Sequence, residues 1–274
     1  NKTQNLIVKA VKIKDGRLRY KIDRSKIKKI IGLKFKKISR RSKYLLFFFN
    51  KDVVMLVHLG MTGKFFFINR QKTKYKTSFY YNINEDKDKK HDRIIFNLSN
   101  NQKLIYNDIR KFGFIKFIKQ NDLEQNAHLH HLGPEPLSTK FNVRYFKNYI
   151  LGKGRNIKNL LMDQKFTAGL GNIYVNEILF FSGIKPNKEI KELTDNEIKK
   201  IILFTKKVIK KAIILGGSSI RDFSSSSGKK GLFQQQFNVY GKKGKKCTKN
   251  NCRGIIIKII ISNRSTFYCA KCQK

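Results

Sequence analysis

The hydrophobic period changes once along the chain, and that change limits the possible folds more than any other feature. From Leu6 to about Ile118, short runs of β-branched and aromatic residues are broken by polar turns. The runs are Leu6–Lys14, Tyr44–Phe49, Val53–His58, Lys64–Ile68, Thr77–Asn82, Arg93–Leu98, Lys103–Tyr106 and Phe114–Ile118. Spacing of this kind predicts an antiparallel sandwich or barrel. Asp15-Gly16 and Asn50-Lys51-Asp52 supply turns, and Asp23–Ile31 reads as a connecting helix because Asp23 precedes Ile27, Ile30 and Ile31 at helical spacing.

Between Gln120 and Leu137 the pattern gives way to polar residues, a histidine cluster (His128, His130, His131) and Gly133-Pro134-Glu135-Pro136, which reads as a linker. Helical spacing then governs Asn142–Leu151, Asn156–Asp163, Gly171–Phe181 and Asp195–Leu215, and Thr194-Asp195-Asn196-Glu197 is a helix-start signal. Phe223–Gly231 is rich in serine and glycine and predicts a mobile surface loop. The expected domains are 1–120, a linker over 121–137, a helical domain over 138–233 and a small terminal domain over 234–274.

Charge defines the partner class. The chain has 61 Lys+Arg against 18 Asp+Glu, a formal net charge of +43, yet 40% of its residues are hydrophobic, enough to bury a core. Polyanions are the expected partners, although charge alone does not separate DNA, RNA, a ribosome and an anionic membrane. Part of the excess reads as compositional drift, since Lys, Ile, Asn and Phe dominate while Trp is absent, as an AT-rich genome would encode. No apolar stretch approaches the roughly 20 residues needed to cross a bilayer, so a soluble protein with no membrane partner is expected.

All four cysteines lie near the end of the chain. Cys247-x4-Cys252 and Cys269-x2-Cys272 flank a segment that reads as two strands joined by Ser262-Asn263-Arg264-Ser265. Two thiolate pairs at the base of a hairpin suit one tetrahedral zinc ion; two disulfides or four free thiols are the alternatives. The joining segment puts Arg264 at the hairpin tip, either as a solvated arginine or as a nucleic-acid contact.

Several segments together resemble the bacterial formamidopyrimidine-DNA glycosylase family. They include Gly16-Arg17-Leu18-Arg19, Arg40-Arg41-Ser42-Lys43-Tyr44-Leu45-Leu46, His58-Leu59-Gly60-Met61-Thr62-Gly63, Tyr106-Asn107-Asp108-Ile109-Arg110-Lys111-Phe112-Gly113 and His131-Leu132-Gly133-Pro134-Glu135-Pro136-Leu137. Others are Leu160-Leu161-Met162-Asp163-Gln164-Lys165, Gly169-Leu170-Gly171-Asn172-Ile173-Tyr174, Gly216–Phe223, Val239–Gly244 and the four-cysteine hairpin. They run in the family's order from Leu6 to Lys274, and the His-Leu-Gly-Met-Thr-Gly and Arg-Lys-Phe-Gly segments favour this branch over the endonuclease VIII branch.

The resemblance implies an α+β multidomain protein: an N-terminal antiparallel β-sandwich, a helix-two-turns-helix domain and a C-terminal zinc-binding β-hairpin, with DNA in the cleft between the halves. It implies base excision repair: removal of 8-oxoguanine and formamidopyrimidines from double-stranded DNA, followed by β,δ-elimination at the abasic site. The expected protein is a monomer in the bacterial cytoplasm, acting at the nucleoid, with one structural Zn2+ held by Cys247, Cys252, Cys269 and Cys272. A base extruded from a duplex leaves a hole. By similarity Met61 fills it, Phe112 wedges the stack and Arg110 meets the orphaned partner base. Lys43 matches a catalytic-site lysine that contacts phosphate beside the lesion, and Lys158 another lysine of the substrate site. Asn172 and Arg264 match residues that grip the flanking phosphates, and the Ser224–Gly231 loop matches the segment that closes over the flipped base. His91, in His91-Asp92-Arg93, approaches the backbone or stays a surface histidine. For Met61 and Phe112 the alternative is core packing, and for Asn172 a helix cap.

Departures also matter. In the family an N-terminal proline attacks the sugar C1′ and the following glutamate moves protons; this sequence begins at Asn1-Lys2-Thr3-Gln4-Asn5, where that leader is expected to have ended. A chain starting there is expected to lack normal glycosylase and lyase activity, with an incomplete record favoured over loss of the segment. Ile109 stands where the family usually has proline, and the first cysteine spacing is longer. The competing readings are a catalytically inactive damaged-DNA-binding remnant of the same family, and a zinc-containing RNA or ribosome binder.

Overall fold

The computed structural model describes residues 3–68, 74–76 (backbone only), 89–217 and 233–274. The expected strand at Thr77–Asn82 and the Ser224–Gly231 loop lie outside the described residues. The chain divides into two compact units at His130 and His131.

In the first unit two antiparallel sheets face each other. One has the order β1-β7-β8-β5-β6, with β1 (Val8–Ile13), β5 (Lys64–Ile68), β6 (Lys74–Lys76), β7 (Asp92–Leu98) and β8 (Gln102–Asn107). The other is β2-β3-β4-β9, with β2 (Phe35–Arg41), β3 (Tyr44–Phe49), β4 (Val53–His58) and β9 (Phe114–Lys119). Strands β3, β4 and β5 have the limits the alternation predicts. Alternate residues explain the packing: Phe47, Phe49, Met55 and Val57 enter the shared core with Phe35, Phe65, Phe96 and Tyr106. Leu46, Phe48, Val54 and Leu56 point to the opposite face, where Leu123 and Leu129 pack on them. Both faces of β3 and β4 are therefore covered, which is why their sequences are almost continuously apolar.

Strand β2 is absent from the expected set. Its sequence, FKKISRR, is dominated by basic residues, and a register shift between Phe35 and Lys37 interrupts the period of two. The connecting helix, α1, is shorter than expected: it covers Arg24–Lys28, capped by the Asp23 side chain, and Ile27 is its buried anchor.

The second unit is helical, with a terminal hairpin. Helix α2 (Val143–Ile150) is capped by Asn142, α3 (Ile157–Met162) by Asn156, and α4 (Asn172–Ser182) stops at Gly183, whose φ is +75°. Helix α5 (Asp195–Ile214) begins with a full capping box between Thr194 and Glu197. These helices bury Phe146, Leu160, Leu161, Phe166, Val175, Ile178, Ile198 and Ile201 in one core. Strands β10 (Ile256–Ile261) and β11 (Arg264–Cys269) form the hairpin. Its turn is only Ser262-Asn263, both left-handed at φ +46° and +56°. Arg264 is therefore not at the tip: it opens β11, opposite Ile261. No helix among the described residues is long and apolar enough to cross a membrane.

The capping box predicts a local cost. Thr194→Ala removes the acceptor for the Glu197 N–H and should lower stability by about 1 kcal/mol, read as a lower urea midpoint of the far-ultraviolet helical signal.

Candidate functional site

In the first unit, two connections between the sheets carry three of the predicted residues. The β4–β5 connection bears Met61, and the β8–β9 connection bears Arg110 and Phe112. Met61 is 59% and Phe112 46% exposed, so neither is a core residue. The Arg110 guanidinium lies 3.2 Å from Met61 Sδ and 4.5 Å from the Phe112 ring centre. The three form one projecting cluster of two apolar tips and a planar donor fork.

Buried polar groups lie beneath it. Thr62 and Asp108 are both buried; the Thr62 hydroxyl donates to Asp108 and accepts from the Arg110 backbone N–H at 2.9 Å. The other Asp108 oxygen accepts from Gly113 N at 2.9 Å and Tyr106 OH at 3.2 Å. Burial, and then the neighbouring Asp108, push the Tyr106 phenol far above its ordinary range. A Cβ on Gly60 would lie 2.7 Å from the Phe112–Gly113 peptide, so the two connections touch backbone to backbone.

Around this cluster, Arg93 donates to the Asp108 carbonyl at 2.8 Å and pairs with Asp15, which also binds Arg17 and Lys111. The hydrogen bond from Arg17, then that from Lys111, hold the Asp15 carboxyl far below the usual carboxylate range. His91 accepts the Asp108 N–H on its carbonyl, and its Nδ1 lies 3.4 Å from Arg93. Lys43 is exposed in the two-residue turn between β2 and β3. Lys43 and the β4–β5 connection thus lie at the same end of the antiparallel β3–β4 pair, where Tyr44 stands opposite His58. That imidazole accepts from Gly60 N at 3.0 Å. Burial first, then Lys43, Arg19 and His128, lower its pKa and favour the neutral ring. His128 packs on Phe114 at 4.8 Å and is a structural member of an aromatic cluster with Tyr20 and Tyr44.

In the second unit, Lys158, Asn172 and Arg264 meet at the hairpin. Asn172 Nδ2 donates to the Ser265 carbonyl at 2.9 Å; Lys158 Nζ donates to Thr266 Oγ1 at 2.5 Å and reaches the same carbonyl at 3.4 Å. Asn172 is the first residue of α4 and Gly171 is the cap, so the asparagine is not a helix cap. Lys158 is 1% exposed, and burial, then Arg264, lower its pKa to about 8. Among the described residues no ion pair links Lys158 or Arg264 to a carboxylate. A helix N-terminus and two adjacent cations with no anion between them form a receptive place for a phosphate.

Sequence reading missed several supporting residues. Asn176, one turn beyond Asn172, donates to the Asn172 carbonyl at 2.6 Å and accepts from Phe267 N at 2.6 Å, fastening α4 to β11. Glu177, fully buried, accepts the backbone N–H groups of Asn238, Val239 and Tyr240. Their signal was the polar pair Asn176-Glu177 inside an otherwise apolar helix.

The four cysteines form the only group among the described residues arranged to hold a metal, with all sulfurs within 4.8 Å of one another. Cys247 and Cys272 are 3.8 Å apart, Cys252 and Cys269 3.7 Å. A tetrahedron with Zn–S bonds of about 2.3 Å has edges of about 3.8 Å, whereas a disulfide needs about 2.05 Å. The sulfurs therefore fit zinc. A Cβ on Gly254 would lie 2.5 Å from Cys269 Sγ, so the first thiolate turn requires glycine. The Gln273 side chain accepts from Cys269 N and donates to Ile184 O, tying the site to the end of α4.

Comparison with known proteins covers the same regions. Residues 1–115 match the family model "Formamidopyrimidine-DNA glycosylase N-terminal domain", residues 132–224 "Formamidopyrimidine-DNA glycosylase H2TH domain" and residues 244–274 "Zinc finger found in FPG and IleRS". The chain is 41% identical over 274 residues to a formamidopyrimidine-DNA glycosylase of Rickettsia bellii, covering 100% of this chain and 94% of that protein. It is 41% identical over 273 residues to that of Rickettsia massiliae, covering 92% of it. Its fold is similar to a Lactococcus lactis FPG variant in complex with Fapy-dG-containing DNA: TM-score 0.83, 31% identity, 99% of this chain and 94% of that one. It is likewise similar to L. lactis Fpg in complex with abasic-site DNA, with TM-score 0.82, 31% identity and coverages of 99% and 93%.

One structural zinc ion is the cofactor of the terminal hairpin. Metal analysis should find one zinc per chain, and Cys269→Ser should lower retention of the ion in a chelator competition, with earlier thermal unfolding of the second unit.

Proposed function

The chain belongs to the formamidopyrimidine-DNA glycosylase family, and from that premise we propose that it is a base excision repair enzyme that removes oxidised purines and cuts the abasic strand by β,δ-elimination. The full-length family match carries this reading. Its substrate is double-stranded DNA containing 8-oxoguanine, formamidopyrimidine or an abasic site. It acts as a monomer in the bacterial cytoplasm, at the nucleoid.

Each residue has a role under this reading. Rotating a damaged base out of the stack costs a few kcal/mol of pairing and stacking. Met61 occupies the vacated space, Phe112 wedges the adjacent step and the Arg110 fork hydrogen-bonds the orphaned base. Lys43 and His91 meet the backbone beside the lesion, while Lys158, Asn172 and Arg264 take up a flanking phosphate. The exposed positions of Met61 and Phe112 and the unpaired cations at the hairpin support these assignments. The division into a sandwich over 1–120, a linker over 121–137, a helix-two-turns-helix domain over 138–233 and a zinc hairpin over 234–274 belongs to the same reading. Zinc, in a closed four-thiolate site, holds the hairpin and takes no part in the reaction.

The test is borohydride trapping on an 8-oxoguanine duplex, because borohydride captures the iminium formed by an attacking amine. The chain is assayed as given and with a Pro-Glu leader joined ahead of Asn1. The expected result is lesion-selective binding by both and a trapped adduct with strand cleavage when the leader is present; equal affinity for damaged and undamaged duplexes would overturn the reading.

Lys158 adds a pH dependence. Because its pKa is lowered to about 8, it is charged below that pH and loses its proton above it. A phosphate prefers the charged form, so duplex affinity should fall by up to about tenfold per unit above pH 8, with proton uptake on binding there. In Lys158→Met this part of the decline should vanish, as measured by fluorescence anisotropy across pH 7–9.5 at constant salt.

A further inference from the structure

We propose that Thr62 and Asp108 are positioning residues that lock the two sheet-to-sheet connections together, so that Met61, Arg110 and Phe112 act as one rigid wedge. This rests on the reading of those three side chains as the wedge. The geometry makes the lock specific. Strand β4 belongs to one sheet and β5 to the other; β8 and β9 likewise belong to different sheets. Each connection therefore spans both sheets, and each carries one exposed apolar tip, Met61 on the first and Phe112 on the second.

A continuous hydrogen-bond path ties one connection to the other. The Arg110 N–H donates to Thr62 Oγ1, the Thr62 hydroxyl donates to one Asp108 oxygen, and the second Asp108 oxygen receives Gly113 N–H and Tyr106 OH. Residues 61–62 on one side are thus bonded to Asp108 and Arg110 on the other, and Asp108 extends the path to Tyr106 and Gly113. Asp108 itself is anchored at both ends of its peptide, by its N–H to the His91 carbonyl and by its carbonyl to Arg93 Nε. The close approach of Gly60 to the Phe112–Gly113 peptide removes the space in which the connections could slide. Thr62, Arg93, Tyr106, Asp108 and Gly113 are buried, so removing one of these partners leaves the others without a substitute. A side chain that must enter a base stack loses less conformational freedom on insertion if its rotamer and backbone are already held.

Thr62→Val keeps the shape of the side chain and removes both bonds of its hydroxyl; Thr62→Ser keeps the hydroxyl. The first readout needs no DNA. The chain contains three methionines, Met55, Met61 and Met162, so 13C-methyl-methionine NMR gives three signals. Met55 is fully buried in the sandwich core and reports whether the unit is folded. The expected result for Thr62→Val is a shifted and narrowed Met61 methyl signal, as its tip becomes mobile, with Met55 and Met162 in place and the native pattern in Thr62→Ser. The second readout is opening of a lesion duplex carrying 2-aminopurine beside the damaged base. Thr62→Val should slow opening about tenfold or more, and Thr62→Ser should restore it, while affinity for undamaged duplex stays within about twofold. Asp108→Asn, which replaces one acceptor oxygen with a donor, should give the same pair of effects.

An unchanged Met61 signal in both Thr62→Val and Asp108→Asn would overturn the proposal, as would displacement of Met55 together with Met61, which would make the network a general support of the sandwich. Should the parent protein open no lesion duplex, the functional reading fails, and the methyl signals still decide the lock.

Discussion

Self-repulsion is the condition under which this chain folds. With 61 basic side chains and 18 acidic ones, every carboxylate sits in a strongly positive field, and the structure uses its few acids where the backbone most needs an acceptor. Asp23 caps α1, Glu197 completes the capping box of α5, and Asp163 accepts the Lys165 N–H while pairing with Arg155. Glu177 receives three consecutive backbone N–H groups from residues 238–240 with no basic side chain among those partners, and Asp108 joins two connections. Most of the described basic side chains meanwhile remain at the surface. The fold is held by anions and the surface is left cationic, which suits a protein whose counter-charge comes from its substrate.

Legibility followed the physical origin of each element. Strands β3 to β5 were readable because alternation and length both come from burial on a pleated surface, and the long α5 because its capping box and its apolar stripe agree. Strand β2 was not readable: its role is to pair with β3, its exposed face is basic, and a bulge breaks its period. The hairpin turn was misjudged by two residues because Ser262 and Asn263 alone adopt the left-handed turn, which spacing does not reveal.

The site divides the same way. The cysteines were legible as a metal centre from spacing alone, since sulfur geometry is almost the same wherever zinc is bound. The roles proposed for Met61, Phe112 and Arg110 rest on family resemblance: as isolated residues in the sequence they are indistinguishable from core or solvated side chains. Thr62, Asp108, Asn176 and Glu177 were overlooked because a polar residue among apolar ones carries no information about its partner. The bonds that matter reach between residues 46 apart in Thr62 and Asp108, and 91 apart in Asn176 and Phe267.

The interlocked glycines of the β4–β5 and β8–β9 connections bear on how such a composition can be tolerated. Replacing valine by isoleucine or arginine by lysine is sterically mild, so a genome drifting toward A·T pairs can enrich this chain in both without disturbing a backbone. Glycine codons begin with two G·C pairs, and those of lysine, asparagine and isoleucine with none. At Gly60 and Gly113, where an added Cβ would lie 2.7 Å from a peptide and 1.9 Å from Tyr106 Oη, that drift meets a steric wall. An exterior of lysines can change with base composition at little steric cost, whereas at these two glycines shape sets the limit.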